Sequence, residues 1–333
     1  MEHWVAFPGL GLEFPISQTF LKFEIFGMTV DIRFYGLMIA IGFTLAVIYA
    51  FHQAPKLGID RDRMLDVVLV TAVVAVICAR LYYVFFSDNV EYYLSHPDKI
   101  LAIWDGGLAI YGGIIAAFVV GALMCRLRKV NTLALFDLAA IGFLMGQGLG
   151  RWGNFFNQEA YGVNTDLPWG MTGDIIQSGV NGAVEDPMSP VHPTFLYESL
   201  WCLLGVLVLH LMFKKLYYFH GQLFGAYLVW YGAERLVVEG LRTDSLFIPG
   251  TPIRVSQAVS VAAILGGAML LFVLAIRAKR QSGGQLQRIV FTVPTAEAVE
   301  ETAEEPTVTL QSDDRLSVEG VPTENAIQTE EDM

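Results

Sequence analysis

Residues 133–162 read LALFDLAAIGFLMGQGLGRWGNFFNQEAYG, and the two halves of this stretch have opposite character. Up to Leu149 it is almost entirely apolar, and it is long enough to cross a hydrocarbon core of about 30 Å, which takes about 17–25 helical residues. Arg151, two asparagines and Glu159 follow where such a helix would leave the membrane. The stretch therefore predicts a membrane-spanning helix that brings polar side chains to one membrane surface.

The composition of the whole chain also indicates a membrane protein. Of its 333 residues, 54% are hydrophobic and 16% are charged, and the mean hydropathy of +0.49 is too high for a soluble protein of this length. We predict an all-α polytopic membrane protein with seven transmembrane helices. The predicted spans are Tyr35–Phe51, Val67–Phe86, Gly107–Cys125, Leu133–Leu149, Phe195–Phe213, Leu223–Val238 and Ser256–Ile276.

The basic residues of the loops predict the orientation of these spans, because short cytoplasmic loops carry an excess of Lys and Arg. They cluster in the first, third and fifth loops and after the last span. These residues are Lys56, Arg61, Arg63, Arg126, Arg128, Lys129, Lys214, Lys215, Arg277, Lys279, Arg280 and Arg288. The N-terminus is therefore predicted outside and the C-terminus in the cytoplasm, so that the polar end of residues 133–162 faces outward.

Three regions are predicted from this topology. Residues 1–34 form an extracytoplasmic N-terminal arm, in which KFEIFGMTVDIRF alternates on both sides of Gly27 as a short hairpin does. Residues 35–277 form the seven-helix domain, whose fourth loop, 151–194, is long enough to be a small extracytoplasmic head. Residues 278–333 form a disordered acidic cytoplasmic tail, since 12 acidic and 4 basic residues there give −8 of the chain's net charge of −12.

Charged residues in or beside the spans are candidates for function, because a charge at the bilayer centre is costly. The arginines of this kind are Arg80, Arg151, Arg235 and Arg242. In YGAERLVVEGLR, helical spacing places Tyr231, Arg235, Glu239 and Arg242 on one polar stripe. Arg235 and Glu239 can pair at i, i+4, which leaves positive charge that an incoming anion would neutralise.

A second polar face consists of Gln147, Arg151, Asn154 and Gln158, provided that the helix continues. Snorkelling to the headgroups would explain an arginine alone, but not the accompanying amides and Glu159. Since guanidinium groups match phosphate oxygens, the two faces predict an outward-facing cavity for an anionic headgroup.

Other kinds of site find little support. GLGRWG matches the dinucleotide pattern G-x-G-x-x-G but lacks the strand that must precede it. His192 in SPVHPTFLYES is interpreted as structural, and no cluster has zinc-ligand spacing. We therefore predict no metal, no cofactor and no nucleic-acid partner.

Several motifs together resemble the prolipoprotein diacylglyceryl transferase family. GRWGNFFNQEAYG resembles the family signature, and RFYGLMIAIGF, ARLYYVFF, IWDGGLAIYGG, HPTFLYES and YGAERLVVEGLR follow in the expected order, over about residues 20–275. The resemblance implies a seven-helix transferase of the bacterial cytoplasmic membrane, with an extracytoplasmic head and arms and an active site toward the outer face. Its partners would be phosphatidylglycerol, the lipobox peptides of prolipoproteins and the lipid bilayer.

The resemblance also implies a reaction, the first step of lipoprotein maturation. A diacylglyceryl group would pass from phosphatidylglycerol to the lipobox cysteine, forming a thioether and releasing glycerol phosphate. The site residues carried over are Tyr35, Arg151, Asn154, Glu159, Gly162, Arg235, Glu239 and Arg242. We expect Arg151 and Arg235, the essential pair by resemblance, to contact the phosphate; the remaining residues would orient the headgroup and shape the site.

Tyr111 departs from the family pattern, because many members have a histidine at this position. A tyrosine, with a reference pKa of about 10 against about 6.5 for histidine, is a poor base at neutral pH. The group that takes the thiol proton stays open among Glu159, Tyr111 and Glu239, or the positive field alone lowers the thiol pKa.

Two other classes of function stay open from the residues themselves. A transporter or channel would also place Arg and Glu within the membrane. Against it, the polar groups cluster in the outer half, and no inverted repeat is visible. The third class is a lipid-binding structural protein.

Overall fold

A computed structural model describes residues 3–25, 28–87, 89–103, 106–182 and 184–291. The strands are β1 His3–Phe7, β2 Leu12–Ile16, β3 Thr19–Ile25, β4 Met28–Arg33 and β5 Thr172–Gly173. The helices are α1 Phe34–Gln53, α2 Arg61–Phe86, α3 Val90–Ser95, α4 Ile110–Leu127, α5 Thr132–Asn157, α6 Asp174–Ser178, α7 Thr194–Lys215, α8 Gln222–Leu241 and α9 Val255–Gln281.

The protein is a mostly helical, multi-pass membrane protein. Six helices of the described part, α1, α2, α4, α5, α7 and α9, are long and apolar enough to cross a membrane. Helix α8 has 20 residues, but Glu234, Arg235 and Glu239 lower its apolar character. The prediction of an all-α chain was wrong in one respect, since β1 to β5 form two small sheets within the described residues.

Local sequence signals explain where two of the helices begin and end. The Asp60 carboxylate accepts a hydrogen bond from the Arg63 amide and caps α2, and Asn131 caps α5 through the Ala134 amide. Helix α5 extends beyond the predicted Leu149 to Asn157, and Gln158, which caps it, adopts a left-handed conformation with φ of 47°. The whole of GRWGNFFN is therefore helical.

Glycines allow the long helices to approach each other closely. A Cβ on Gly42 of α1 would lie 2.9 Å from the Gly146 Cα of α5. In the same way, a Cβ on Gly267 of α9 would lie 2.7 Å from the Gly225 carbonyl oxygen of α8. The close contact between α1 and α5 depends on the missing side chain of Gly42, since a Cβ on Gly146 itself would meet no atom within 4 Å.

Residues 151–194, which were predicted to form a head, pack with a second segment that is distant in sequence. Strand β1 lies between β2 and β5 in an antiparallel sheet, so the first residues of the predicted N-terminal arm belong structurally with residues 151–194. The Gln158 side chain joins them, because its amide donates to the Trp4 carbonyl and to Asp174 and its oxygen accepts the Ile175 and Ile176 amides. The second part of the arm is the separate β3–β4 hairpin, which the alternating pattern predicted.

Helix α9 continues to Gln281 and thus includes the first residues of the predicted disordered tail. The chain then packs back on the end of α7. The Ile289 amide donates to the Tyr217 carbonyl, and the Phe291 ring lies 4.7 Å from that of Phe213. The tail prediction for residues 292–333 lies outside the described residues.

Candidate active site

The site is built around a carboxylate that holds two arginines from different helices. Oε2 of Glu198, in the second turn of α7, contacts the Arg151 guanidinium of α5 and lies 3.3 Å from Nη1 of Arg235 on α8. The Glu198 side chain is 2% exposed, against 21% for Arg151 and 13% for Arg235. The two arginines that the sequence placed on separate polar faces therefore meet at the same carboxylate oxygen.

Further carboxylates balance the arginines of α8. Nη2 of Arg235 lies 2.7 Å from Oε2 of Glu239, and Arg242 forms a bidentate pair with Asp244 at 2.6 and 2.8 Å. The expectation of unbalanced positive charge around Glu239 was therefore wrong, because Glu198 and Asp244 supply the missing negative charges. An anion that binds here must share the arginines with these carboxylates.

Amide side chains connect Arg151 to Glu159 at the end of α5. Asn154 accepts a bond of 3.3 Å from Nη1 of Arg151 and donates one of 2.9 Å to Oε1 of Glu159. Asn157 donates to the same carboxylate oxygen at 3.2 Å. The polar residues of the signature motif thus form one connected network.

Tyr35 and Gly162 both lie where a glycine lets another segment pack closely against the backbone. The Tyr35 ring of α1 packs directly on Gly153, and a Cβ there would overlap it. Gly162 forms an isolated antiparallel bridge with Arg242, and a Cβ would lie 2.8 Å from that of His192. Gly162 therefore brings the loop after α5 against the end of α8, which fixes the backbone of Arg242.

A cavity of about 530 Å³ extends from this network along the helices. Helices α1, α2, α4 and α5 line it, with Tyr35, Arg151 and Asn154 among its polar lining residues. The rest of its surface is mostly apolar and includes Ile39, Phe43, Val68, Ala72, Phe118 and Phe143. The arginine network thus adjoins a long, mostly apolar space.

Comparisons with known proteins identify the family of this chain. A model of the prolipoprotein diacylglyceryl transferase family matches residues 22–273. The chain belongs to this family. A phosphatidylglycerol–prolipoprotein diacylglyceryl transferase of Lysinibacillus sphaericus (strain C3-41) is 40% identical over 246 residues, covering 72% of this chain and 86% of the relative. One of Streptococcus pyogenes serotype M5 (strain Manfredo) is 42% identical over 253 residues, covering 76% and 93%.

Three residues singled out by the sequence lie outside the arginine network. Tyr111, in the first turn of α4, makes no hydrogen bond within the described residues. Gln158 turns into the head rather than extending the polar face of α5. His192 bonds to the Tyr197 hydroxyl at 3.1 Å, and burial lowers its pKa below the usual value, which fits the structural interpretation.

Arg80 binds backbone carbonyls of a loop and does not join the other arginines. It is 2% exposed, and its guanidinium donates to the carbonyls of Lys99, Ile100, Gly106 and Gly107 at 2.6–3.1 Å. It thereby holds the loop between α2 and α4 in place.

Two buried carboxylates were not assigned to the site from the sequence. Neither Glu198 nor Glu234, which is 5% exposed, was predicted as a site residue. The signal was available in both cases, since each is an ionisable residue within an apolar segment. Among the described residues, no group of three or more His, Cys, Asp or Glu side chains could hold a metal ion.

Proposed function

We propose that this chain transfers the diacylglyceryl group of phosphatidylglycerol to prolipoproteins, the first step of lipoprotein maturation in the bacterial cytoplasmic membrane. The family membership and the names of the relatives support the reaction. The observation that carries it in the structure is the convergence of Arg151 and Arg235 beside an apolar cavity.

In this proposal α8 also crosses the membrane, which gives seven transmembrane helices. The N-terminus is outside and the site faces the outer leaflet. The 20 residues of α8 suffice to cross the hydrocarbon core. Its charged residues need not meet lipid, because Arg235 pairs with Glu198 and Glu239 inside the bundle. The basic loops of the sequence support the orientation.

The bound phosphatidylglycerol would place its acyl chains in the apolar cavity and its phosphate between Arg151 and Arg235. A guanidinium group has five N–H donors, so each arginine can hold Glu198 and a phosphate oxygen together. Tyr35 and Asn154 lie at the cavity wall beside Arg151 and would orient the headgroup. Glu239 and Arg242 would hold the arginine cluster in shape.

The chemical step is a displacement at the glycerol carbon that bears the phosphate. The cysteine sulfur of the lipobox forms a bond to this carbon while the carbon–oxygen bond breaks, and the electron pair stays on the oxygen of the departing glycerol phosphate. Arg151 and Arg235 would stabilise the charge that develops on this phosphate. The thiol proton must pass to a base, because the thiolate is the reactive form.

Glu159 is the best placed base among the alternatives. Glu239 is paired with Arg235, and no hydrogen bond connects Tyr111 to the site within the described residues. Glu159 receives two amide N–H groups on Oε1, and no arginine of the described part forms an ion pair with it. Its carboxylate would accept the thiol proton and later release it to water.

The test is a mass assay with purified protein, phosphatidylglycerol and a lipobox peptide. The peptide should gain one diacylglyceryl group, and Arg151→Ala or Arg235→Ala should lower the rate by about 100-fold or more. Arg126→Ala, at an exposed position far along α4, is the control and should keep the full rate. Full activity in either site variant, or solute transport without an adduct, would refute the proposal.

A further inference from the structure

The β3–β4 hairpin has one apolar and one polar face. Its register pairs Leu21 with Ile32 and Phe23 with Val30, and it pairs Lys22 with Asp31 and Glu24 with Thr29. Directly paired residues of an antiparallel ladder share a face, and successive residues alternate between faces. Leu21, Phe23, Ile25, Val30 and Ile32 therefore form the apolar face.

Within the described residues, this apolar face and the strand edges have no partner. Leu21 is 49% exposed, Ile25 45%, Val30 36% and Ile32 37%. Strands β3 and β4 pair only with each other, whereas β1 in the head has a neighbour on each side. A two-stranded sheet with free edges and an exposed apolar face is the arrangement to which an extended peptide adds as a further strand.

The hairpin is anchored at the entrance to the candidate active site. The pairing of β3 with β4 shifts between Thr19 and Leu21, so that Phe20 has no partner in the ladder. Its ring packs against that of Phe34, with centroids 5.3 Å apart. Phe34 stacks at 4.2 Å on Phe156 in the last turn of α5. Strand β4 leads without a linker into α1, whose second residue, Tyr35, lines the cavity with Arg151. A peptide beside this hairpin would therefore lie close to the cavity that Tyr35 and Arg151 line.

We propose that a free edge of β3–β4 binds the extended prolipoprotein segment that carries the reacting cysteine. The segment would add as a third strand, with its apolar side chains continuing the apolar face and its cysteine at the cavity entrance. This proposal rests on the proposed function, because it takes the peptide substrate from it. The free edges favour a peptide over the bilayer surface. A strand edge presents unpaired N–H and C=O groups, and a peptide backbone offers alternating acceptors and donors that pair with them.

The first test uses lipobox peptides in which single backbone amides are N-methylated, with phosphatidylglycerol vesicles and the wild-type chain. In strand addition, every second peptide amide bonds to the edge, so methylation should raise the KM for peptide about fivefold or more at alternate positions only. Equal effects at all positions, or none, would overturn the proposal. A failure of the unmethylated peptide to react would instead overturn the proposed function.

The second test compares the two faces of the hairpin. The double variant V30S/I32S should raise the KM for peptide about fivefold or more and leave kcat and the KM for phosphatidylglycerol unchanged. The control variant K22S/T29S changes the polar face of the same strands and should keep all three constants. If V30S/I32S instead raises the KM for phosphatidylglycerol or reduces binding to vesicles, the face lies on the bilayer and the proposal is wrong.

Discussion

At the scale of single residues, Glu198 determines the geometry of the site. One of its carboxylate oxygens contacts both Arg151 and Arg235, and the side chain is almost fully buried. A buried ion pair contributes little net stability when it is complete, but removal of one partner leaves an uncompensated charge. Two guanidinium groups would be left with less negative charge if Glu198 were neutral.

We therefore predict that Glu198→Gln lowers the free energy of unfolding by about 3 kcal/mol, measured by SDS unfolding of the purified protein. Phosphatidylglycerol should restore more of the stability in the variant than in the wild type, because its phosphate replaces the lost charge. Asp66→Asn, which removes the exposed partner of Arg128, is the control, with an expected loss of about 1 kcal/mol or less. An equal effect of lipid on both proteins would contradict the prediction.

The assignment of Glu159 as base predicts a loss of rate without a loss of lipid binding. Glu159→Gln keeps the size of the side chain and should lower kcat by about 100-fold or more, with the KM for phosphatidylglycerol unchanged. Glu185→Gln, at an exposed position in the head, should have no effect on either constant. A normal kcat in Glu159→Gln would mean that another group takes the proton.

At the scale of helices, closeness of packing depends on which glycine faces a backbone. A Cβ on Gly112 of α4 would lie 2.5 Å from the Cys78 carbonyl oxygen of α2. On Gly146 of α5 it would meet no atom within 4 Å. Both positions are glycines within apolar helices, but only Gly112 has no room for a Cβ.

Gly112→Ala should therefore separate α2 from α4 and lower the free energy of unfolding by about 1–3 kcal/mol. Gly146→Ala should leave stability unchanged or raise it by up to about 1 kcal/mol, because alanine is the better helix former. Thermal unfolding of both variants in detergent is the measurement. Equal stability of the two variants would show that α2 and α4 can move apart at no cost.

At the scale of the whole molecule, the described residues beyond the last long helix include a short stretch that packs on the core. Ile289 and Phe291 pack against the core beside Phe213 and Tyr217, and the family match ends at residue 273. The network of the candidate active site lies among α1, α5, α7 and α8, so a loss of this packing should affect stability more than chemistry.

A chain truncated after Thr292 should keep both activity and stability. Truncation after Gln281 should cost about 2 kcal/mol of unfolding free energy, because it removes the buried part of Ile289 and Phe291. Thermal unfolding and the transfer rate of the two truncated chains test this difference. If truncation after Gln281 left stability unchanged, the packing of Ile289 and Phe291 on α7 would contribute nothing to the free energy of unfolding.

The sequence by itself determined the membrane class, the approximate positions of the helices, the β3–β4 hairpin and the family. Hydropathy, alternation and motifs are properties of contiguous residues, so they need no knowledge of contacts. Hydropathy placed the end of α5 too early, at Leu149, because Arg151 and Asn154 look unsuited to a membrane helix until their partners are known.

Only the tertiary structure decided which charges meet. Glu198 bridges Arg151 and Arg235, Arg242 takes Asp244 as its partner, and Arg80 holds a loop instead of joining the site. It also placed β1 in the head beside β5, more than 150 residues away in the chain. Such pairings depend on how distant segments pack, and a buried charge is tolerated only where that packing supplies its counterion.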